Sequence, residues 1–281
     1  MTDLLIRMLA GINAVANAAG DLLQGPVAAC PGWLSLTVMS AAVGVMALIV
    51  FKYTSNQQAI GRVRDDIKAN LLAVKLYKDS FSVAMKSQAR VLTGACRLLL
   101  YSLVPMLVLI GPVCLVLAQM GSWYQARPLQ FGDGQVTVQV KMNDRPGTPP
   151  RVMLEPLPAA RLLTGPVHVT SRGEIYFKLQ PLEHGNHTLI FHVGDDRYEK
   201  QVAIGNGFMR VSPKRPGAHL GDVLMYPLEK PFAAGDPVLS ISIAYPPRDS
   251  RMYGTDWWVI YFFLASTAFA VLCKPFLKVR I

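Results

Sequence analysis

Three histidines lying close together, His184, His187 and His192, come nearest to a metal-binding pattern in this chain. Imidazoles that converge would suit zinc or a similar borderline ion. His187 and His192 are five residues apart, however, so an extended strand puts them on opposite faces. Their spacing matches no standard zinc site, so turn and strand-surface positions are expected for them, with no metal and no cofactor. Nucleophile, Walker-type and zincin motifs are absent, and no paired carboxylates lie inside an apolar run. Asp256 stands beside Trp257, Trp258 and Tyr261, which reads as an interface residue ahead of an aromatic belt. No enzymatic function is expected.

The elements that would position any functional group are unusually apolar. Trp33 to Phe51 and Leu98 to Met120, 19 and 23 residues long, carry no charged side chain, and Trp257 to Cys273 adds a third run of 17. The first two are long enough to cross a hydrocarbon core as helices and the third sits at the lower limit. The 52% hydrophobic content, with only 16% charged residues, fits an integral membrane protein with three transmembrane helices over 32–51, 98–120 and 256–273.

Charge sets the expected orientation. Between the first two spans nine basic residues face only Asp65, Asp66 and Asp79, a net +6, and the tail over 274–281 carries Lys274, Lys278 and Arg280 with no acid. Short basic loops stay in the cytoplasm, so the chain should run N-terminus out, loop in, large domain out, C-terminus in. Of the net charge of +10, most therefore belongs to topology and anionic headgroups, and no specific nucleic-acid binding is expected. Cys96, Cys114 and Cys273 lie in or beside spans and Cys30 stands alone, so no disulfide framework is expected.

Within residues 1–26, Asp3, Arg7, Asn13, Asn17 and Asp21 recur at helical intervals with Leu5, Leu9, Ile12, Val15 and Ala19 broadly opposite. A secretory signal wants an uninterrupted apolar core. The pattern instead predicts an amphipathic helix on the outer face, closed by Gly25-Pro26. The loop over 52–97 has no proline; Ile60, Val63, Ile67, Leu71 and Val74 form one apolar stripe, and Phe81, Met85, Gln88 and Leu92 a weaker one after Asp79-Ser80. This predicts a cytoplasmic helical hairpin whose two stripes pair.

Residues 127–250 follow a different pattern. Val136–Val140, Glu174–Leu179, Thr188–Val193, Tyr198–Ile204 and Val238–Ile243 are short β-rich runs, divided by turns such as Gly132-Asp133-Gly134 and Gly194-Asp195-Asp196. Seven or eight strands predict an all-β, immunoglobulin-like sandwich between spans two and three. Asn186-His187-Thr188 matches a glycosylation acceptor, which leaves the source open, although an N-out protein of this kind fits a bacterial inner membrane.

The order of outer helix, N-out span, basic hairpin and return span, with Leu76-Tyr77-Lys78, Gly94-Ala95-Cys96-Arg97-Leu98-Leu99-Leu100 and Pro105 in sequence, resembles the YidC/Oxa/Alb insertase superfamily and its three-span relatives. The resemblance covers roughly residues 1–124 and the last 25. Two features depart from it: the first span lacks the positive residue that bacterial insertases hold there, and a β-domain stands where longer relatives have two further spans.

The resemblance implies a polar intramembrane groove that lowers the cost of moving a polar segment across hydrocarbon. Its candidate lining is Ser35, Thr37 and Ser40 on the first span with Lys52 at its inner end, Arg97 at the start of the second with Tyr101 and Ser102 on it, and Ser266 and Thr267 on the third. Pro105 and Gly111-Pro112 would bend the second span. The expected function is that of an insertase or membrane chaperone, whose partners are the lipid bilayer, nascent or client membrane proteins and the ribosome. The alternative is a non-catalytic scaffold that binds other envelope proteins through its outer domain.

Overall fold

The computed structural model describes residues 2–28, 31–77, 81–143, 151–248, 257–277 and 279. Cys30, Lys78, Asp79, Ser80, Asp256, Lys278 and Arg280, to which the sequence assigns roles, lie outside the described residues. The chain divides into two compact units, one of residues 1–35 and 114–260, the other of residues 36–113 and 261–281.

The first unit is built on two antiparallel sheets. Strands β1 (Val136–Met142), β3 (Ala160–Val169), β4 (Glu174–Pro181), β7 (Lys214–Arg215) and β8 (Val238–Ile243) form one, in the order β3-β4-β1-β8-β7. Strands β2 (Val152–Leu154), β5 (Gly185–Val193) and β6 (Asp196–Ile204) form the other, in the order β2-β5-β6. Alternation does the work: Val136, Val138 and Val140 of β1 point inward to meet Ile175, Phe177 and Leu179 of β4 and Leu189, Phe191 and Val193 of β5 in one apolar core. Phe177 and Phe191 meet edge to face across it, ring centroids 5.5 Å apart.

Strand β3 is absent from the sequence reading because it does not alternate. It is the edge strand of its sheet and nearly all of it is exposed. It also carries Pro166, which an edge tolerates because one side of the strand needs no donors. Gly165 has φ of +142°, and a Cβ there would stand 2.7 Å from the Phe177 ring. Glycine therefore lets the edge fold over a core aromatic where the β3–β4 register shifts. Strands β2 and β7 are too short to leave a periodic trace.

Helix α1 (Thr2–Ala28) belongs to this unit and continues past Gly25-Pro26 instead of closing there. It packs on the short helix α5 (Leu220–Met225) and the residues just after it through its asparagines: Asn13 Nδ2 donates to the Val223 carbonyl at 2.8 Å and Asn17 Nδ2 to the Pro227 carbonyl at 2.9 Å. Leu4, Met8, Ile12 and Val15, on the other side, are exposed.

The second unit is helical. It comprises α2 (Gly32–Thr54) from Leu36 on, α3 (Gln57–Leu76), α4 (Phe81–Tyr124) up to Val113, and α6 (Trp257–Leu277) from Tyr261 on. Ser55 and Asn56 break α2 from α3, and the Asn56 side chain caps α3 by accepting from the Ala59 amide at 3.0 Å. Helices α2, α4 and α6 are long and apolar enough to cross a bilayer, which points to an integral membrane protein. Helix α4 continues through Pro105 and Pro112.

Candidate functional site

On α2, Thr37, Ser40 and Gly44 share one face, and that face is a seam against α6. The Thr37 hydroxyl shares a 2.6 Å hydrogen bond with the Tyr261 hydroxyl. A Cβ on Gly44 would stand 2.2 Å from the Ser266 carbonyl oxygen, so the two backbones touch there. Small residues four apart, Ser40 and Gly44, are the usual means of such an approach in a membrane. This spacing is visible in the sequence.

Three of the other polar candidates turn inward to their own helices. Ser40 donates to the Leu36 carbonyl at 2.7 Å, Ser102 to Leu98 at 2.9 Å and Ser266 to Phe263 at 3.2 Å. Lys52 lies in the last turn of α2, its ammonium 5.9 Å from the Tyr53 ring. Arg97, Tyr101 and Thr267 are exposed. Ser35 belongs to the first unit, where it donates to the Gly32 carbonyl and shares a 2.8 Å hydrogen bond with the Tyr124 hydroxyl. The structure thus joins Thr37 to Tyr261 and brings Ser266 against Gly44.

What α4 presents instead is apolar. Phe81, Met85, Leu92, Leu99, Leu103, Met106 and Ile110 are all large and all exposed. At 100° per residue they fall within a narrow sector of the helix, so they form a single stripe about 44 Å long at 1.5 Å per residue. In the most apolar window of α4 only 6% of residues are buried, against 33% in α2. The sequence marks Phe81, Met85, Gln88 and Leu92 as a face that pairs with α3, but in the structure all four are exposed. The better-covered line is Ala84, Ser87, Val91 and Gly94, and a Cβ on Gly94 would meet Ile67 Cγ1 of α3 at 2.6 Å. Small side chains admit the close approach, and the large ones are left outside.

The first unit holds the strongest electrostatics. Lys200 of β6 is fully buried, and its ammonium donates to Glu229 Oε1 at 2.5 Å and to the Ser212 carbonyl at 2.7 Å; Glu229 Oε2 accepts from the Gln201 amide at 3.0 Å. Burial pushes the Lys200 ammonium below its usual range, with the Glu229 carboxylate opposing that shift. Asp133 accepts a bidentate pair from Arg127, at 2.8 and 2.6 Å, and that hydrogen bonding lowers its pKa. Arg210 is held by Ser122, Asn17 and Gln119, tying α1 and the end of α4 to the loop after β6. Sequence reasoning singled out none of Lys200, Glu229 or Arg210, although the alternation of Tyr198, Lys200 and Val202 places Lys200 on the inward face.

The histidines part company. His184 lies against the Phe131 ring with centroids 4.2 Å apart, His187 takes an inward-side position on β5, and His192 turns outward to Glu155 at 3.4 Å. No family model matches this sequence, and comparisons with curated proteins and with solved structures return no match.

Proposed function

We propose that the chain is an insertase-like membrane chaperone, in which the exposed stripe of α4 leads an apolar client segment from the cytoplasm into the bilayer. The observation that carries this reading is the continuity of that stripe from Phe81, among basic residues, to Ile110, in an apolar run. In water an uncovered row of Phe81, Met85 and Leu92 is costly, and a client helix covering it recovers about 25 cal/mol per Å² buried. The client then meets the same kind of surface inside the membrane.

The accompanying topology is the one read from charge: α3 and the start of α4 as a basic cytoplasmic hairpin, supported by the approach of Gly94 to Ile67, with the N-terminus and β-unit outside a bacterial inner membrane. The two sheets around one core support an immunoglobulin-like sandwich for the β-unit. Helix α1 would lie on the outer leaflet, its asparagines on the protein and Leu4, Met8, Ile12 and Val15 in the lipid.

One feature favours the scaffold reading: Leu162, Leu163 and Val167 are exposed on the edge strand β3, where a partner strand or domain could add. Photocrosslinking in cells, with probes at Phe81, Leu92 and Leu103 and capture of translating ribosomes, separates the two. Crosslinks to short-lived nascent membrane proteins are expected. Crosslinks to only one or two stable envelope proteins, unchanged when translation stops, would overturn the insertase reading in favour of the scaffold.

A further inference from the structure

A cavity of about 370 Å³ opens in the first unit, walled on one side by the ends of two membrane-spanning helices. Cys114, Leu117, Ala118 and Gly121 of α4 and Trp258 of α6 form that side, and Met225 to Leu228 face them. A Cβ on Gly121 would lie 3.9 Å from Trp258 Cζ2, which sets the two helix ends at one level. From Gly121 to Cys114 is two turns of α4, so the wall descends about 10 Å toward the bilayer centre. Cys114, Leu117 and Ala118 belong to the uncharged run that crosses the hydrocarbon.

Along α4 the lining turns polar toward the helix end, from Cys114, Leu117 and Ala118 to Ser122 and Gln125, and Ser212, Tyr226 and Lys214, whose ammonium is already paired with Asp222 at 2.8 Å, complete the polar lining. Water at the deep end would find few hydrogen-bond partners, because a buried water needs two to four of them. An apolar recess at hydrocarbon depth that becomes polar toward the interface has the profile of an amphiphile. We propose that this cavity is a phospholipid site, taking one acyl chain between α4 and the Met225–Leu228 segment with the ester and headgroup region toward Gln125 and Ser122. The site depends on the chain spanning a membrane and is independent of the insertase reading.

The test uses the full chain in phosphatidylcholine vesicles containing a small fraction of phosphatidylcholine with a diazirine in mid-chain. Labelled residues are mapped by mass spectrometry before and after exchange into lipid-free detergent. The uncovered α4 stripe from Leu99 to Met106, which meets bulk lipid, is the internal reference. Labelling at Leu117 and Ala118 should exceed that of the stripe by about fivefold after exchange, a retention expected of a specific site. Ala118→Phe and, independently, Gly121→Leu should reduce it to the level of the stripe. If Leu117 and Ala118 in the unsubstituted chain are labelled no more than the stripe and are lost with it on exchange, the proposal is overturned.

Discussion

The β-rich unit and the helical unit treat apolar surface in opposite ways. In the β-rich unit Val138, Val140, Phe177 and Phe191 are almost wholly hidden and even a lysine and a glutamate are enclosed. In the helical unit Leu99, Leu100, Val104 and Leu107 stand well over half exposed. The first unit completes its own core, as a domain in water must. The second leaves its largest side chains for a surrounding that is not part of the chain, and packs small ones, Gly44 and Gly94, against its own neighbours.

The contrast is broken most sharply at Lys200. Replacing it with Met leaves Glu229 buried without its partner, which costs about 3–5 kcal/mol. Urea unfolding of the full chain in micelles, followed by intrinsic fluorescence, measures it, and adding Glu229→Leu to Lys200→Met should restore much of the loss. Phe191→Ala in the core should cost a similar amount, about 3–5 kcal/mol, whereas Leu103→Ala on the α4 stripe should change the same midpoint by less than about 0.5 kcal/mol. Comparable losses at Phe191 and Leu103 would mean that α4 is covered after all.

The α2–α6 seam comes next. Gly44→Leu drives a side chain into the Ser266 carbonyl and should destabilise the helical unit by about 1–3 kcal/mol, read as earlier thermal loss of helical signal in micelles. Ser40→Ala should be nearly silent, within about 0.5 kcal/mol, because that hydroxyl bonds only its own helix at Leu36.

Asp133 supplies an effect that depends on pH. Its pKa is lowered in the folded state, chiefly by the Arg127 hydrogen bonds, so its contribution is fully present above the ordinary carboxylate range. It is lost as pH falls through the depressed folded value. Asp133→Asn should therefore remove part of the acid sensitivity of the β-rich unit and leave stability near pH 7 lower than in the unsubstituted chain.

Much of this was legible from residue patterns. The three spans were plain because 17 to 23 uncharged residues leave few alternatives, and β1, β4, β5, β6 and β8 showed through their period of two. Strand β3 was hidden because an exposed edge needs no alternation, and β2 and β7 because two or three residues carry no period. The site was harder. Periodicity reveals that Phe81, Met85 and Leu92 share a face, but it cannot say whether that face is covered; the usual assumption for a soluble helix, large apolar side inward, points the wrong way here. Hydroxyls on spans suggest a polar groove by type alone, whereas Ser40, Ser102 and Ser266 are satisfied within their own helices.

The central claim is that the α4 stripe guides clients into the bilayer, and reconstitution tests it most directly. The full chain in lipid vesicles is supplied with a short single-span protein made by cell-free translation, and insertion is scored by protease protection. The account predicts insertion well above protein-free vesicles, and a return to that background when Phe81, Met85 and Leu92 are all replaced by serine. Insertion equal to that of protein-free vesicles, or unchanged by the triple replacement, would contradict it.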